Sequence, residues 1–356
     1  MRDRQDEGNR LLTRRQVLQA GAGFGLAAAT GTLLTACGSV GKEGSTSLAQ
    51  PEARLETTRI RLFSVPPATC YAAMYMAEQF LREDGLTDVQ YPRYTTANVL
   101  DKIRSGEIDF GIGYAAALIP LIDAGAPIVL LGGLHVGCWQ VIGTGGIHTM
   151  RDFRGKTVSV SSPKFTDGLF IAMTLANVGV DIRKDVNLVT NPPTENARLL
   201  SSGEVDAVVA FPPLSTDLKA KGIGRVVLDS FTDPPWSNYY CCAAFANRTF
   251  MERNPVVTKR TLRAFLKGAD VVTRDPDGSA RLMVDRGYTS NYEYTCQILR
   301  EIPYDIWREF DPLDSVRFYA LRLKEGGFLE NTPEEILKKG TDFRYLDELR
   351  RELKDA

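Results

Sequence analysis

The 356-residue sequence carries 43 basic and 44 acidic side chains, and its net charge of −1 removes any electrostatic case for a nucleic-acid partner. A hydrophobic fraction of 44% beside 24% charged residues is that of a globular chain, long enough for about two domains. After the N-terminal segment, no run is apolar and long enough to span a bilayer.

The N-terminal stretch "TRRQVLQAGAGFGLAAATGTLLTACGS", residues 13–39, offers two readings. Gly23, Gly25 and Ala28 have the spacing of a dinucleotide-binding loop. Such a loop needs a buried strand before it and a helix with a polar face after it. Here "MRDRQDEGNRLLTRRQ" is too charged for that strand, and no charge occurs between Ala20 and Ala36. A basic start, an apolar stretch and a small-residue exit describe an export signal. Arg14-Arg15 resembles a twin-arginine signal, although general secretory signals also carry paired arginines. Leu34-Thr35-Ala36-Cys37 resembles a lipobox, in which the cysteine is lipidated and begins the mature chain. The competing reading, a membrane-spanning anchor, suits a Gly/Ala/Thr-rich run of marginal length less well. The expected order is therefore an export signal over 1–36 and a lipidated Cys37 with a Gly/Ser-rich, then charged, tether over 37–57.

Two distant segments then repeat each other. Residues 105–125 read "SGEIDFGIGYAAALIPLIDAG" and residues 202–222 read "SGEVDAVVAFPPLSTDLKAKG". Extended upstream without a gap, the alignment pairs Ser64 with Ser161, Pro66 with Pro163 and Thr69 with Thr166. Both copies alternate β-rich runs ("IRLFSV", "DVQYPRY", "DFGIGY"; "KTVSVSS", "DVNLVT", "DAVVAF") with helical ones ("YAAMYMAEQFL", "NVLDKIRSG"; "GLFIAMTLANVG", "NARLLSSG"). This pattern predicts an α/β chain of two similar lobes, each a mostly parallel sheet flanked by helices. The last hundred residues have a helical period.

The opening strand into Pro66-Pro67-Ala68, the "SGEIDFGIGYAAAL" segment, "FRGKTVSVSS" and the second "SGEVDAVVAF" resemble the periplasmic solute-binding proteins of ABC importers. Within these, the segments resemble the group that binds nitrate, sulfonates, taurine and thiamine-pyrimidine precursors. The resemblance covers roughly residues 59–356 and implies a two-lobed, type II-like binding-protein fold. Lobe 1 would run over 58–136 and be completed by 245–356. Lobe 2 would span 137–244 and include hinge crossings near 138–141 and 240–244. The implied partners are a small-molecule ligand and the transmembrane subunits of an ABC permease. The implied location is the periplasmic side of a bacterial membrane, where a monomer is held by its lipid alone.

In open α/β sheets ligands bind beyond the carboxyl ends of the strands. That rule selects Pro67, Ala68, Thr69 and Tyr71 after the first strand of lobe 1. It selects Ser162, Lys164, Phe165 and Thr166 after the first strand of lobe 2. Thr69 and Thr166 are equally readable as plain helix caps. After the third strands come Tyr114, Ala115 and Ala116 in one lobe and Phe211 in the other, matching positions for an aromatic clamp. His135 ends an apolar strand at the cleft rim, and Trp236 precedes the return hinge. Trp139, in the outbound hinge, is a further candidate. The sidewall aromatics favour a planar ring or an apolar-bodied anion: a thiamine-pyrimidine precursor or a sulfonate.

The six cysteines (Cys37, Cys70, Cys138, Cys241, Cys242 and Cys296) match no zinc spacing. With only His135 and His148, no His/Cys ligand cluster, metal or cofactor is expected. Buried apolar thiols, with at most one disulfide, are the plain reading, which leaves the adjacent Cys241-Cys242 unexplained. No G-x-S-x-G or P-loop motif occurs, so covalent chemistry is not expected. Two alternatives stay open: an enzyme like the pyrimidine synthases that share this fold and use a cysteine-rich motif with iron, or a receptor for a signalling partner. The lipobox is directly testable. Cys37→Ser should release the protein from the membrane fraction or leave its signal uncleaved. An unmodified mature chain with Cys37 internal, seen by intact-mass analysis, would refute the anchor.

Overall fold

The computed structural model describes residues 53–354, apart from 66–68, 96–97 and 165. The export signal, Cys37, most of the tether, and the candidates Pro67, Ala68 and Phe165 lie outside the described residues.

The first half opens with β1 (Arg59–Arg61), α1 (Ala72–Met76), α2 (Glu78–Glu83) and β2 (Asp88–Gln90). It continues through α3 (Val99–Arg104), β3 (Phe110–Tyr114), α4 (Ala115–Asp123) and β4 (Ile128–His135). The second half runs β5 (Gln140–Gly143), β6 (Thr157–Val160), α5 (Thr166–Ala176), β7 (Asn187–Thr190), α6 (Pro193–Ser202), β8 (Ala207–Ala210), α7 (Leu214–Ala220) and β9 (Arg225–Asp229). The chain then returns as β10 (Cys242–Asn247) and inserts between β3 and β4, antiparallel to both.

β1 and β2 pair in parallel, and a parallel bridge from Leu62 to Phe110 joins them to β3. The first half therefore reads β2-β1-β3-β10-β4. The second sheet has the order β7-β6-β8-β5-β9, with β6 parallel to β7 and β8, and β5 antiparallel to β8 and β9. The two sheets are topologically identical, each with four strands in one direction and one against them. Cys242, Ala243 and Ala244, expected in the return crossing, are already paired in the first sheet.

The repeated Ser-Gly-Glu-x-Asp does the same structural work in each half. Gly106 and Gly203 adopt φ of 73° and 75°, a left-handed turn that frees the chain from α3 and α6. Ser105 and Ser202 donate their hydroxyls to Glu107 and Glu204, which also hold Lys102 and Arg198. The aspartates then clamp the opening strand of their own repeat copy, β1 or β6. Asp109 accepts from Arg61 N at 2.8 Å and from its guanidinium at 2.6 Å, while Asp206 accepts from Thr157 N at 2.8 Å. The motif locks helix to sheet and is not a ligand site. The ungapped alignment slips by one residue in the opening strand, since Leu62 opposes Phe110 and Val158, not Ser159, opposes Ala207. Ser64 and Ser161 are thus not equivalent.

The C-terminal segment forms α8 (Arg248–Arg253), α9 (Pro255–Arg274), α10 (Pro276–Asp285), α11 (Tyr292–Glu301), α12 (Pro312–Glu325), α13 (Pro333–Gly340) and α14 (Arg344–Glu352). α9 buries Val257, Leu262, Phe265, Leu266, Ala269 and Val272, a stripe of helical period. It crosses α1 so closely that a Cβ on Gly268 would lie 2.1 Å from the Ala73 carbonyl oxygen. Among the described residues no helix is long and apolar enough to cross a membrane.

The two clamps differ in burial, and this sets their cost. Asp109→Ala leaves a strand N–H unpaired and a half-buried guanidinium with the Gly106 carbonyl but no counter-charge, and should destabilise the protein by about 2–4 kcal/mol. Asp206→Ala should cost about 1 kcal/mol, because its Lys156 partner is 3.9 Å away and half exposed. Urea unfolding of the two variants checks the order; equal losses would contradict the assignment.

Candidate functional site

Two segments connect the sheets: residues 136–139 run from β4 to β5, and residues 230–241 run from β9 to β10. They are tied side by side, with Trp139 N donating to Ser230 Oγ at 2.9 Å and Ser230 N to the Trp139 carbonyl at 3.0 Å. Above them lies a cavity of about 640 Å³, lined from the first half by Phe63, Val65, Tyr71 and Tyr114 and from the second by Ser161, Thr166, Asp167 and Phe211. Trp139 lines it between the halves, its ring 5.7 Å from Tyr114 and 5.0 Å from Phe211. Tyr71 packs edge-on against Phe63 at 5.4 Å.

The candidates from the sequence divide accordingly. Tyr71, Tyr114, Thr166 and Phe211 line the cavity, as does Trp139. Thr69 is buried in the short 3-10 turn Thr69–Tyr71 and does not line it; Thr166 is the first residue of α5 rather than a residue before it. Ala115 and Ala116 are buried in α4. Ser162 and Lys164 lie in the loop before α5, outside the lining, and Lys164 is exposed. Trp236 is buried between Phe170 of α5 and Phe318 of α12, at 5.8 and 5.3 Å, so it packs the core. From sequence, an aromatic before a crossing looks the same in either place.

The acidic part of the lining was not foreseen. Asp167, in the first turn of α5, is 3% exposed; it accepts from Ser161 N and Ser161 Oγ at 2.5 Å and from Gly168 N at 2.9 Å. Burial raises its carboxyl above the usual range against these hydrogen bonds. Asp217 of α7 and Tyr294 of α11 face each other at the lining, hydroxyl to carboxylate at 3.4 Å, and join the second half to the C-terminal helices. Among the described lining residues there is no lysine or arginine. Two buried polar groups on the wall, Tyr114 Oη and Trp139 Nε1, have no hydrogen-bond partner among the described residues.

The expectation of no His/Cys cluster is overturned. Cys70 after the first strand, His135 at the end of β4, Cys138 in the outbound crossing and Cys242 at the start of β10 converge, with all four ligand atoms within 4.8 Å of one another. Their separation along the chain hid them: Cys138 and Cys242 are 104 residues apart, and their sulfurs are 3.8 Å apart. Hydrogen bonds from Cys138, Cys241 and Cys70 hold the Cys242 thiol well below the usual range despite burial. Burial disfavours charge on His135, but the charge and hydrogen bond of Cys242 outweigh it and raise the imidazole. Burial pushes Cys138 well up. None of the five described cysteines is in a disulfide.

No curated protein sequence matches the chain. Solved structures do, at low identity. The periplasmic nitrate-binding protein of Synechocystis PCC 6803 is 15% identical over 85% of this chain and 91% of its own, with a TM-score of 0.72. The alkanesulfonate-binding protein of Xanthomonas axonopodis pv. citri is 14% identical over 78% and 96%, with a TM-score of 0.64. The periplasmic aliphatic sulphonate-binding protein of Escherichia coli is 17% identical over 80% and 90%, with a TM-score of 0.63. These likenesses establish the periplasmic-binding-protein fold. The profile of the NMT1/THI5-like family matches residues 68–279, more than half of the sequence, and the chain belongs to that family.

Proposed function

We propose that the protein is the solute-binding component of an ABC importer, tethered through Cys37 on the periplasmic side of the membrane. Its ligand would be a flat, neutral or cationic nitrogen heterocycle of the thiamine-pyrimidine-precursor kind. The importer role is supported by the family and by the binding proteins that share the fold. The observation that carries the ligand class is the lining itself: carboxylates at Asp167 and Asp217, an aromatic trio of Tyr114, Trp139 and Phe211, and no lysine or arginine among the described lining residues. The sulfonate half of the sequence expectation fits this poorly. A sulfonate enclosed beside a buried carboxylate would lack a compensating charge. A ring amine would instead donate to Asp167, and its π-face would lie on the indole or on Phe211. Capture needs no covalent step, and the cavity between two strap-linked halves suits release by opening.

Titration calorimetry with a 4-aminopyrimidine, an alkanesulfonate and nitrate tests this reading. The aminopyrimidine should bind, and Asp167→Asn should weaken it by about 1.5–3 kcal/mol. Preference for the sulfonate or nitrate would refute the ligand class.

The aromatic walls differ in what they hold. Phe211 is half buried, so Phe211→Ala should cost binding about 1–3 kcal/mol, chiefly in the dissociation rate, with a small loss of apo stability. Tyr114 is 6% exposed, so Tyr114→Ala should destabilise the apo protein by about 3–5 kcal/mol. Calorimetric unfolding of both apo variants separates wall from core; the reverse order would reverse the roles.

A further inference from the structure

The four-residue His/Cys cluster is not used by the proposed solute binding, and its geometry is that of a coordination sphere. We propose that Cys70, His135, Cys138 and Cys242 bind one Zn²⁺ ion at the floor of the cavity, where it ties the outbound crossing to the end of β4, the start of β10 and the turn that carries Cys70. The proposal stands independently of which solute the cavity takes.

Zinc–sulfur bonds of about 2.3 Å in a tetrahedron place sulfurs roughly 3.8 Å apart. Cys138 Sγ and Cys242 Sγ lie at that distance. Cys70 closes the set, with every ligand atom within 4.8 Å of the others. Three thiolates and one imidazole match a closed, four-protein-ligand zinc sphere in which no position is left for substrate.

The surroundings match as well. His135 is fully buried, with Nδ1 3.0 Å from the Val136 carbonyl oxygen and Nε2 without a hydrogen-bond partner among the described residues. A ring nitrogen held by a backbone carbonyl is the usual way a zinc-bound histidine is oriented, and it leaves the other nitrogen's lone pair to the metal. Without a donor or a metal ion for that lone pair the buried ring is costly. Cys138 has φ of 101°, the only positive value for a non-glycine among the described residues, and the following β5 begins two residues later. Strain of this kind persists where the surroundings enforce it. A Cys138–Cys242 disulfide is the rival, but it would account for neither Cys70 nor His135.

The test uses the full chain, solubilised in detergent and purified under reducing conditions, with Zn²⁺ and then Co²⁺ as probes. The expected result is one Zn²⁺ per chain by elemental analysis, and a visible Co²⁺ spectrum of tetrahedral thiolate coordination. Cys138→Ser should abolish both. Cys70→Ser, at a half-exposed position, should keep its circular dichroism and lose more than about 100-fold in Zn²⁺ affinity against a chromophoric chelator, beyond the loss of an outer-shell partner. Absence of stoichiometric Zn²⁺ would overturn the site. So would binding unchanged in the folded Cys70→Ser protein, or an intact mass showing Cys138 and Cys242 oxidised to a disulfide while Zn²⁺ is present.

Discussion

The first sheet is unfinished until the chain comes back to it. β3 and β4 do not pair with each other; β10 fills the place between them, and it arrives only after the whole second half has been built. The hydrogen bonds of a central strand cannot be left open in a buried sheet, so the return is compulsory. Two crossings must then lie side by side, and everything functional gathers where they do. Trp139 and Ser230 bind the crossings to each other, His135 and Cys242 stand opposite at the ends of β4 and β10, and Tyr114 pairs with Cys242 across β3. The cavity sits over this junction because that is where strand ends of both sheets converge.

The architecture was legible because its signal is local and doubled. Ser-Gly-Glu-x-Asp marks a helix stop, a left-handed turn and a strand start in five residues, and it occurs twice. What could not be read was its role: the clamp of Asp109 on Arg61 and of Asp206 on Thr157 joins residues far apart in sequence. The one-residue slip in the opening strand was hidden for a similar reason, since a gapless alignment has no means of registering a change in loop length.

The site was legible in part. Strand-end logic found Tyr71, Tyr114, Thr166 and Phe211 because each follows or ends a strand of the repeat. It missed Tyr294 and Asn291, which enter the lining from the C-terminal helices, outside any repeat. It missed Asp167 because an acid in a first helical turn is ordinary on sequence grounds. The His/Cys cluster had no linear signature beyond the short spacing of His135 and Cys138; metal spacings are recognisable when ligands come from one or two short loops, and here they come from three separate stretches of the chain. Once the structure is known, the adjacent Cys241-Cys242 is less puzzling. Cys242 joins the cluster, while Cys241 serves through its backbone, donating to the His135 carbonyl and accepting from Ala115 N.

The identical topology of the two sheets conceals an asymmetry of time. All five strands of the second sheet lie between Gln140 and Asp229, an unbroken stretch of chain. The first sheet needs β10, the last strand to leave the ribosome. During synthesis the N-terminal half must wait with β3 and β4 apart while the later half closes, which inverts the usual order in which N-terminal units fold first. The waiting half exposes two apolar strands, "FGIGY" and "IVLLGGLH", with open edges. A ribosome stalled before Cys242 would therefore display a second half with all of its strands and a first half whose apolar strands still lack their central partner.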